Sequence, residues 1–315
     1  MIVALAGGVG GARLAVGLAA ALPPSDLSIV VNTGDDFEHL GLTVCPDLDT
    51  VMYTLAGVSN PVLGWGRRDE TWSFMQTLGT LGGETWFRLG DRDLALHVRR
   101  TQLLRERVPL SAITHELASR FDIEHAILPM SDTPVRTRVR TDKHGELAFQ
   151  DYFVRLRCKP RVTAFRFAGS RGARVPLALK HVMKRGIEAV VICPSNPYVS
   201  VAPILSVREI REWLRARDFP VVAVSPIVGG AAIKGPAAKM MRELGASSSA
   251  LGVVRHYGDL VDGWAIDNAD RNLQRAIERE RKSVLVTDTI MKSRAKSAAL
   301  AKRVLAFAHD LRSAS

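Results

Sequence analysis

The N-terminal segment constrains this chain more than any other feature. A short apolar run, Ile2–Ala6, ends in Gly7-Gly8-Val9-Gly10-Gly11. A helical pattern follows from Ala12 to Leu22 and stops at Pro23-Pro24. A second apolar run, Leu27–Val31, ends in Asn32-Thr33-Gly34-Asp35-Asp36. Strand, glycine loop, helix, strand and acidic loop make one βαβ unit. Such a unit commits the chain to a parallel sheet, and open parallel sheets bind ligands beyond their strand C-termini. The glycine spacing is neither G-x-G-x-x-G nor the Walker pattern. Glycines opening a helix favour phosphate, while a tight strand-to-helix turn is the plainer explanation.

The α/β alternation recurs along the chain. Pro46 to Ala56 reads as a helix with Asp47 and Asp49 in its first turn, where acidic residues suit the helix dipole. Residues 65–125 read as mostly helical, with Trp65, Trp72, Trp86 and Phe87 as packing residues. Ala126–Leu128 is a short strand. From 135 to 167 the alternation is β-like, with a turn at His144-Gly145. Ala189–Cys193, Val221–Val224, Val253–Tyr257 and Ser283–Val286 read as further strands. Helices are expected near 207–216 and 234–244, and a basic amphipathic helix closes the chain over 295–311. The expected fold is α/β: a Rossmann-like, mostly parallel sheet with helices on both faces. Residues 1–315 form one nucleotide-binding domain carrying a β-rich basic insert at 134–168.

The formal charge is +11 over 315 residues. It is not spread evenly: residues 1–135 are net −6, 136–185 net +11, 186–270 net −1 and 271–315 net +7. Two basic segments around an acidic core suit an anionic small molecule as well as nucleic acid. The three cysteines, Cys45, Cys158 and Cys193, have no metal-ligand spacing. With apolar runs too short to span a bilayer, a cytoplasmic protein without a membrane partner is expected.

The acidic group is the most informative chemistry. Asp35, Asp36, Asp47 and Asp49 lie beside the glycine loop. Carboxylates gathered at one sheet edge repel unless a cation joins them, and Mg²⁺ is the usual partner where phosphates bind. Arg13 reads either as an anion contact or as a solvated helix residue. Gly90-Asp91-Arg92-Asp93, with Arg88 and His97, is a second charged cluster. His39, His97 and His115 read as surface or capping histidines. No serine sits in a nucleophile elbow. Phosphoryl transfer, which needs positioning and charge stabilisation and no covalent nucleophile, fits this inventory best.

Nine blocks, taken in order, are specific. They are LAGGVGGARL (5–14), NTGDD (32–36), CPDLDTVMYTLAG (45–57), WFRLGDRDLALH (86–97), LPMSD (128–132), FQDYFV (149–154), PSNPYVSVAPIL (194–205), SPIVGGAAIKGPAAKMM (225–241) and VLVTDTIM (284–291). Through them the chain resembles the 2-phospho-L-lactate transferase family of coenzyme factor 420 biosynthesis. The resemblance implies transfer of a phosphorylated three-carbon acid (2-phospholactyl, phosphoenolpyruvyl or 3-phosphoglyceryl) from a GDP-linked donor. The acceptor is the ribityl hydroxyl of the deazaflavin Fo, GMP leaves, and Mg²⁺ is required. It also implies a homodimer and a Rossmann-like core.

The resemblance carries residue roles with it. Asp49 and Arg88 match contacts to Fo, and Asp49 and Asp35 are the catalytic candidates. Asp35 and Asp47 match Mg²⁺ ligands. Gly8, Gly10 and Gly11 match the loop near the phosphates; Arg13 and Asn32, beside that loop, are further substrate-binding candidates from the residues themselves. Ser195, Asn196, Gly229 and Gly230 match the guanosine nucleotide pocket. A nucleotide-sugar-binding regulatory protein of the same fold, an NAD-dependent oxidoreductase and a nucleic-acid binder are the rival readings. PDLDT and WFRLGDRD disfavour the first, the glycine spacing the second and the segmental charge the third.

Overall fold

The computed structural model describes residues 1–314. Seven strands form the central sheet: β1 (Ile2–Ala6), β2 (Leu27–Val31), β3 (Ala126–Pro129), β4 (Ala189–Ile192), β5 (Val221–Val224), β6 (Gly263–Asp267) and β7 (Ser283–Thr287). Their spatial order is β7-β6-β5-β4-β1-β2-β3, and every pairing is parallel. Chain order therefore reverses between β1 and β4, which pair with Ile2 opposite Ala189. Loops leaving two such strands diverge to opposite sides and open a crevice.

Side-chain alternation divides each strand between two cores. Ile2, Ala4 and Ala6 face a layer built from four helices: α1 (Gly8–Ala19), α2 (Pro46–Leu55), α4 (Leu110–Arg120) and the closing helix Arg294–Ser313. The helix α3 (Asp91–Arg105) adds Leu96 and Leu103 to the same layer. Val3 and Leu5 face the opposite layer, with Leu179, Ile210, Leu214, Met240 and Val253 from shorter helices. With both faces covered, β1 and β2 are buried along their whole length, which is why they read as continuous apolar runs.

Within the basic segment, strands Arg136–Thr141, Gly145–Ala148 and Val162–Ala168 form a separate antiparallel sheet. Val139, Phe149, Tyr152 and Val162 anchor it to the second core. A single wide turn of helix, Asp151–Arg155, joins its last two strands.

Three expectations need correction. Val253–Tyr257 belongs to a helix, Ala250–Tyr257, whose N-terminus is capped by the Ser249 hydroxyl accepting from the Gly252 amide. The sixth strand is Gly263–Asp267, whose opening glycine lies under Phe307 and Leu311 of the closing helix. In the 65–125 region, helices cover Ser73–Thr80, Asp91–Arg105 and Leu110–Arg120 only, and Trp65 is half exposed.

Close helix packing sets a local constraint. Gly17 of α1 faces the Ser297 backbone of the closing helix, and a Cβ there would press on that carbonyl. Alanine improves helix propensity by about 1 kcal/mol, but overpacking against backbone costs about 1–3 kcal/mol. Gly17→Ala should therefore lower the urea midpoint of unfolding; an unchanged or raised midpoint would contradict the packing.

Candidate active site

The crevice between β1 and β4 opens into a cavity of about 700 Å³. Its floor is the turn after β1. Gly7 is extended and α1 begins at Gly8, so the remaining loop glycines lie in the first helical turn and not ahead of it. Gly8 adopts φ +60°, where a side chain would be strained. A Cβ on Gly7 would lie 2.6 Å from Asp47 and 2.7 Å from Ser200. Gly10 abuts the Pro194 carbonyl. Gly11 packs on Ala6 and Ser195, behind the cavity wall. The Ser195 hydroxyl donates to the Gly7 carbonyl (2.8 Å) and accepts from its amide (3.3 Å), tying the β4 loop to the glycine turn.

Asp35 and Asp47 meet at this turn, both buried and both lining the cavity. Asp47 is at the start of α2, after the proline at N1. It accepts from Asn32 Nδ2 at 2.8 Å and from the Gly8 amide. Asn32 also donates to Val199 O and accepts from the Gly34 amide, so it is a positioning residue behind Asp47 and does not face the cavity. Burial pushes the Asp47 carboxyl up to about 6. Burial, then the neighbouring Asp47 charge, holds Asp35 well above the usual carboxylate range. Asp35 Oδ1 is buried with no hydrogen-bond partner. No cation contributes to either shift. A desolvated carboxylate pair with an orphaned oxygen and no cation is the donor set that a hard divalent ion such as Mg²⁺ takes. Asp36, also buried, points away from the cavity toward Cys45 and is raised to about 7, mainly by burial.

Asp49 belongs to a different network. The buried Arg100 of α3 binds its carboxylate with both guanidinium nitrogens, Nη1 to Oδ2 at 3.1 Å and Nη2 to Oδ1. Burial works against the charge on Arg100, but Asp49, together with Cys45 and Tyr53, outweighs it and the pKa is raised. Arg100 Nη1 lies 3.3 Å from His97 Nδ1, so Nδ1 accepts and the ring proton sits on Nε2. That nitrogen faces Asp93 Oδ1 at 3.5 Å, and Tyr53 donates to the same oxygen at 2.5 Å. Burial favours a protonated Asp93, but His97, Tyr53 and Arg100 outweigh it and lower the pKa. Asp49, Asp93 and His97 are close enough to share an ion. Arg100 already pairs with Asp49, while no cation faces Asp35 or Asp47, so the cation-free Asp35–Asp47 pair is the better candidate metal site.

His97 is thus a buried cavity residue and not the surface histidine expected from sequence; His39 is buried as well. Asp93, His97 and Arg100 lie at i, i+4 and i+7 of one helix, on a single face. That spacing is the sequence signal for the network.

Of the remaining candidates, Arg13, Arg88, Ser195 and Asn196 line the cavity. Arg88 lies 4.1 Å over the Trp72 ring. Gly229 and Gly230 are not brought there. They form the tip of a hairpin between Ile227–Val228 and Ala231–Ala232, where the Gly229 amide is held by Asp270. The neighbouring Lys234 does line the cavity, donating to Leu63 O at 3.1 Å. Its pKa is lowered, chiefly by burial and then by Arg13. Neither cation has an acidic partner among the described residues. Phe87, Phe149, Phe153 and Trp65 give the other wall an aromatic surface.

A family model described as 2-phospho-L-lactate transferase CofD matches residues 2–305. Among curated relatives, the phosphoenolpyruvate transferase of Streptomyces griseus is 42% identical, covering 99% of both chains. That of Thermobifida fusca is 44% identical over 85% of this chain and 87% of its own. That of Mycobacterium sp. strain KMS is 36% identical over 91% and 94%. A solved UPF0052-family protein of Bacillus halodurans superposes with a TM-score of 0.62 at 13% identity, covering 96% of this chain and 98% of that one, and shares the fold.

The acidic pair yields a signed prediction. Folding raises both carboxyl pKa values, so the folded chain keeps protons the unfolded chain has released. Metal-free stability from this pair is present at low pH and is lost as pH rises from near 4 through about 6. In EDTA, wild type should lose several degrees of thermal midpoint relative to Asp35→Asn between about pH 5 and about pH 7. Midpoints that run parallel over that range would refute the buried, cation-free pair.

The family model spans residues 2–305, from β1 into the closing helix, and the chain belongs to the 2-phospho-L-lactate transferase CofD family.

Proposed function

We propose that this protein transfers a phosphoenolpyruvyl group from a GDP-linked donor to the ribityl hydroxyl of the deazaflavin Fo, releasing GMP, in coenzyme factor 420 biosynthesis. The observation that carries this reading is the juxtaposition of the cation-free Asp35–Asp47 pair with the glycine turn in one cavity. The choice of phosphoenolpyruvyl over 2-phospholactyl or 3-phosphoglyceryl is supported by relatives named phosphoenolpyruvate transferase, matched over nearly the whole chain. A cytoplasmic homodimer belongs to the same proposal. No helix among the described residues is long and apolar enough to cross a membrane.

Mg²⁺ held by Asp35 and Asp47 would neutralise charge on the donor diphosphate. Everything else falls to the chain. The amides of the first turn of α1 beyond Gly8, whose own amide goes to Asp47, face the phosphates, with the helix dipole favouring their charge. Arg13 and Lys234, two cations without acidic partners, bind the outer phosphate and the acid carboxylate. The deazaflavin ring lies against the Phe87, Phe149 and Phe153 wall. Asp49, fixed by Arg100, accepts a hydrogen bond from the ribityl hydroxyl and aims it at phosphorus. The hydroxyl oxygen forms the new P–O bond, the bond to the GMP oxygen breaks, and the hydroxyl proton leaves to solvent. A loose phosphoryl-transfer transition state needs orientation more than a strong base.

Product mass after incubation with Fo, Mg²⁺ and each of the three GDP-linked donors tests the reading. The phosphoenolpyruvyl product should dominate, and no adduct with any donor would refute the reaction. Asp47→Ala should lower turnover at least about 1,000-fold while circular dichroism stays native; undiminished Mg²⁺-dependent turnover would remove Asp47 from the metal site. Lys234→Ala should raise the donor KM by about tenfold or more with little effect on the KM for Fo. Equal effects on both would place Lys234 elsewhere.

A further inference from the structure

A second cavity, of about 650 Å³, lies outside the active site at the far end of the basic insert. Lys143, Arg155, Arg157, Lys159 and Arg161 line it, together with His144, and Asp142 is the one acidic residue in its wall. Arg155 is engaged by Glu84 at 3.0 Å and Asp151 at 3.6 Å. The other four cations have no acidic partner among the described residues. Clustered, unneutralised cations around a concavity repel one another, and an anion relieves that repulsion.

The cavity is built on a fixed turn. Arg157 and Cys158 both occupy the left-handed region, at φ +51° and +55°, where two consecutive non-glycine residues are unfavourable. The turn is held by Cys158 N donating to Tyr152 O (2.9 Å) and Lys159 N donating to Leu156 O (3.0 Å). Lys239 donates to Pro160 O at 3.0 Å, and Glu243 accepts from the Val162 amide at 3.0 Å. These contacts strap the turn to helix Ala237–Glu243 and the core beneath. The strained backbone thus presents Arg157 in a set position, and strain of this kind concentrates at binding sites.

We propose that this cavity is a second anion site, taking a small polyanion that carries two or more phosphate groups. The volume suits a nucleotide-sized ligand, and arginine forks match phosphate oxygens. The site is independent of the catalytic reading, because none of its lining residues lines the catalytic cavity.

Inorganic tripolyphosphate, titrated calorimetrically in EDTA at about 150 mM salt, tests it. Wild type should show a binding event whose Kd rises at least tenfold in the R157E/R161E variant, while Arg13→Ala retains it. Both substituted residues are exposed, so the variant's thermal midpoint should match wild type. Superimposable titrations of wild type and R157E/R161E would overturn the proposal. So would a 20-nucleotide RNA that binds the same residues at least tenfold more tightly than tripolyphosphate.

Discussion

Two buried carboxylates without a cation set the terms for this protein. Desolvating an unpaired charge is among the least favourable events in folding. Asp35 and Asp47 respond as physics requires, with pKa values raised toward the neutral form. The surrounding structure holds them together regardless. Asn32 and the Gly8 amide orient Asp47, and Gly7 has no side chain because Asp47 and Ser200 occupy the space it would need. A carboxylate pair that is unfavourable when bare is what the proposed divalent ion would relieve.

Topology supplies the location. The reversal of strand order between β1 and β4 opens the sheet where the glycine turn and the Ser195 loop face each other. The β2 loop and the first turn of α2 bring in one aspartate each. Asp49 is two residues beyond Asp47, yet its surroundings differ: Arg100 binds its carboxylate with both terminal guanidinium nitrogens. The two aspartates of one PDLDT segment are thereby separated into a cation-free carboxylate, proposed to face the metal, and one paired with an arginine.

Much of this was legible in the sequence because strand ends and turn residues are local signals. The runs Ile2–Ala6 and Leu27–Val31, bounded by glycine and aspartate, fix the first βαβ unit without tertiary information. Strand Gly263–Asp267 was not legible: it opens on a glycine, which reads as a turn, and only the closing helix shows that the glycine makes room for Phe307 and Leu311. Val253–Tyr257 misled because adjacent valines suit a strand, while the Ser249 cap that starts the helix lies upstream. His97 was misplaced because its burial rests on Arg100 and Asp49, and Asp49 is far away in sequence. Gly229 and Gly230 matched a family block, yet a hairpin carries them off the cavity and leaves Lys234 facing it.

Asp35 and Asp47 are proposed to hold one divalent ion together. Mn²⁺ stands in for Mg²⁺ at oxygen-ligand sites, and its free fraction is read by electron paramagnetic resonance. Titrated against the protein, Mn²⁺ should bind with one tight equivalent per chain in wild type. That equivalent should be lost in both Asp35→Asn and Asp47→Asn, and retained when His97 is replaced by glutamine. A tight equivalent that survives both aspartate substitutions, or one that depends on His97, would contradict the account.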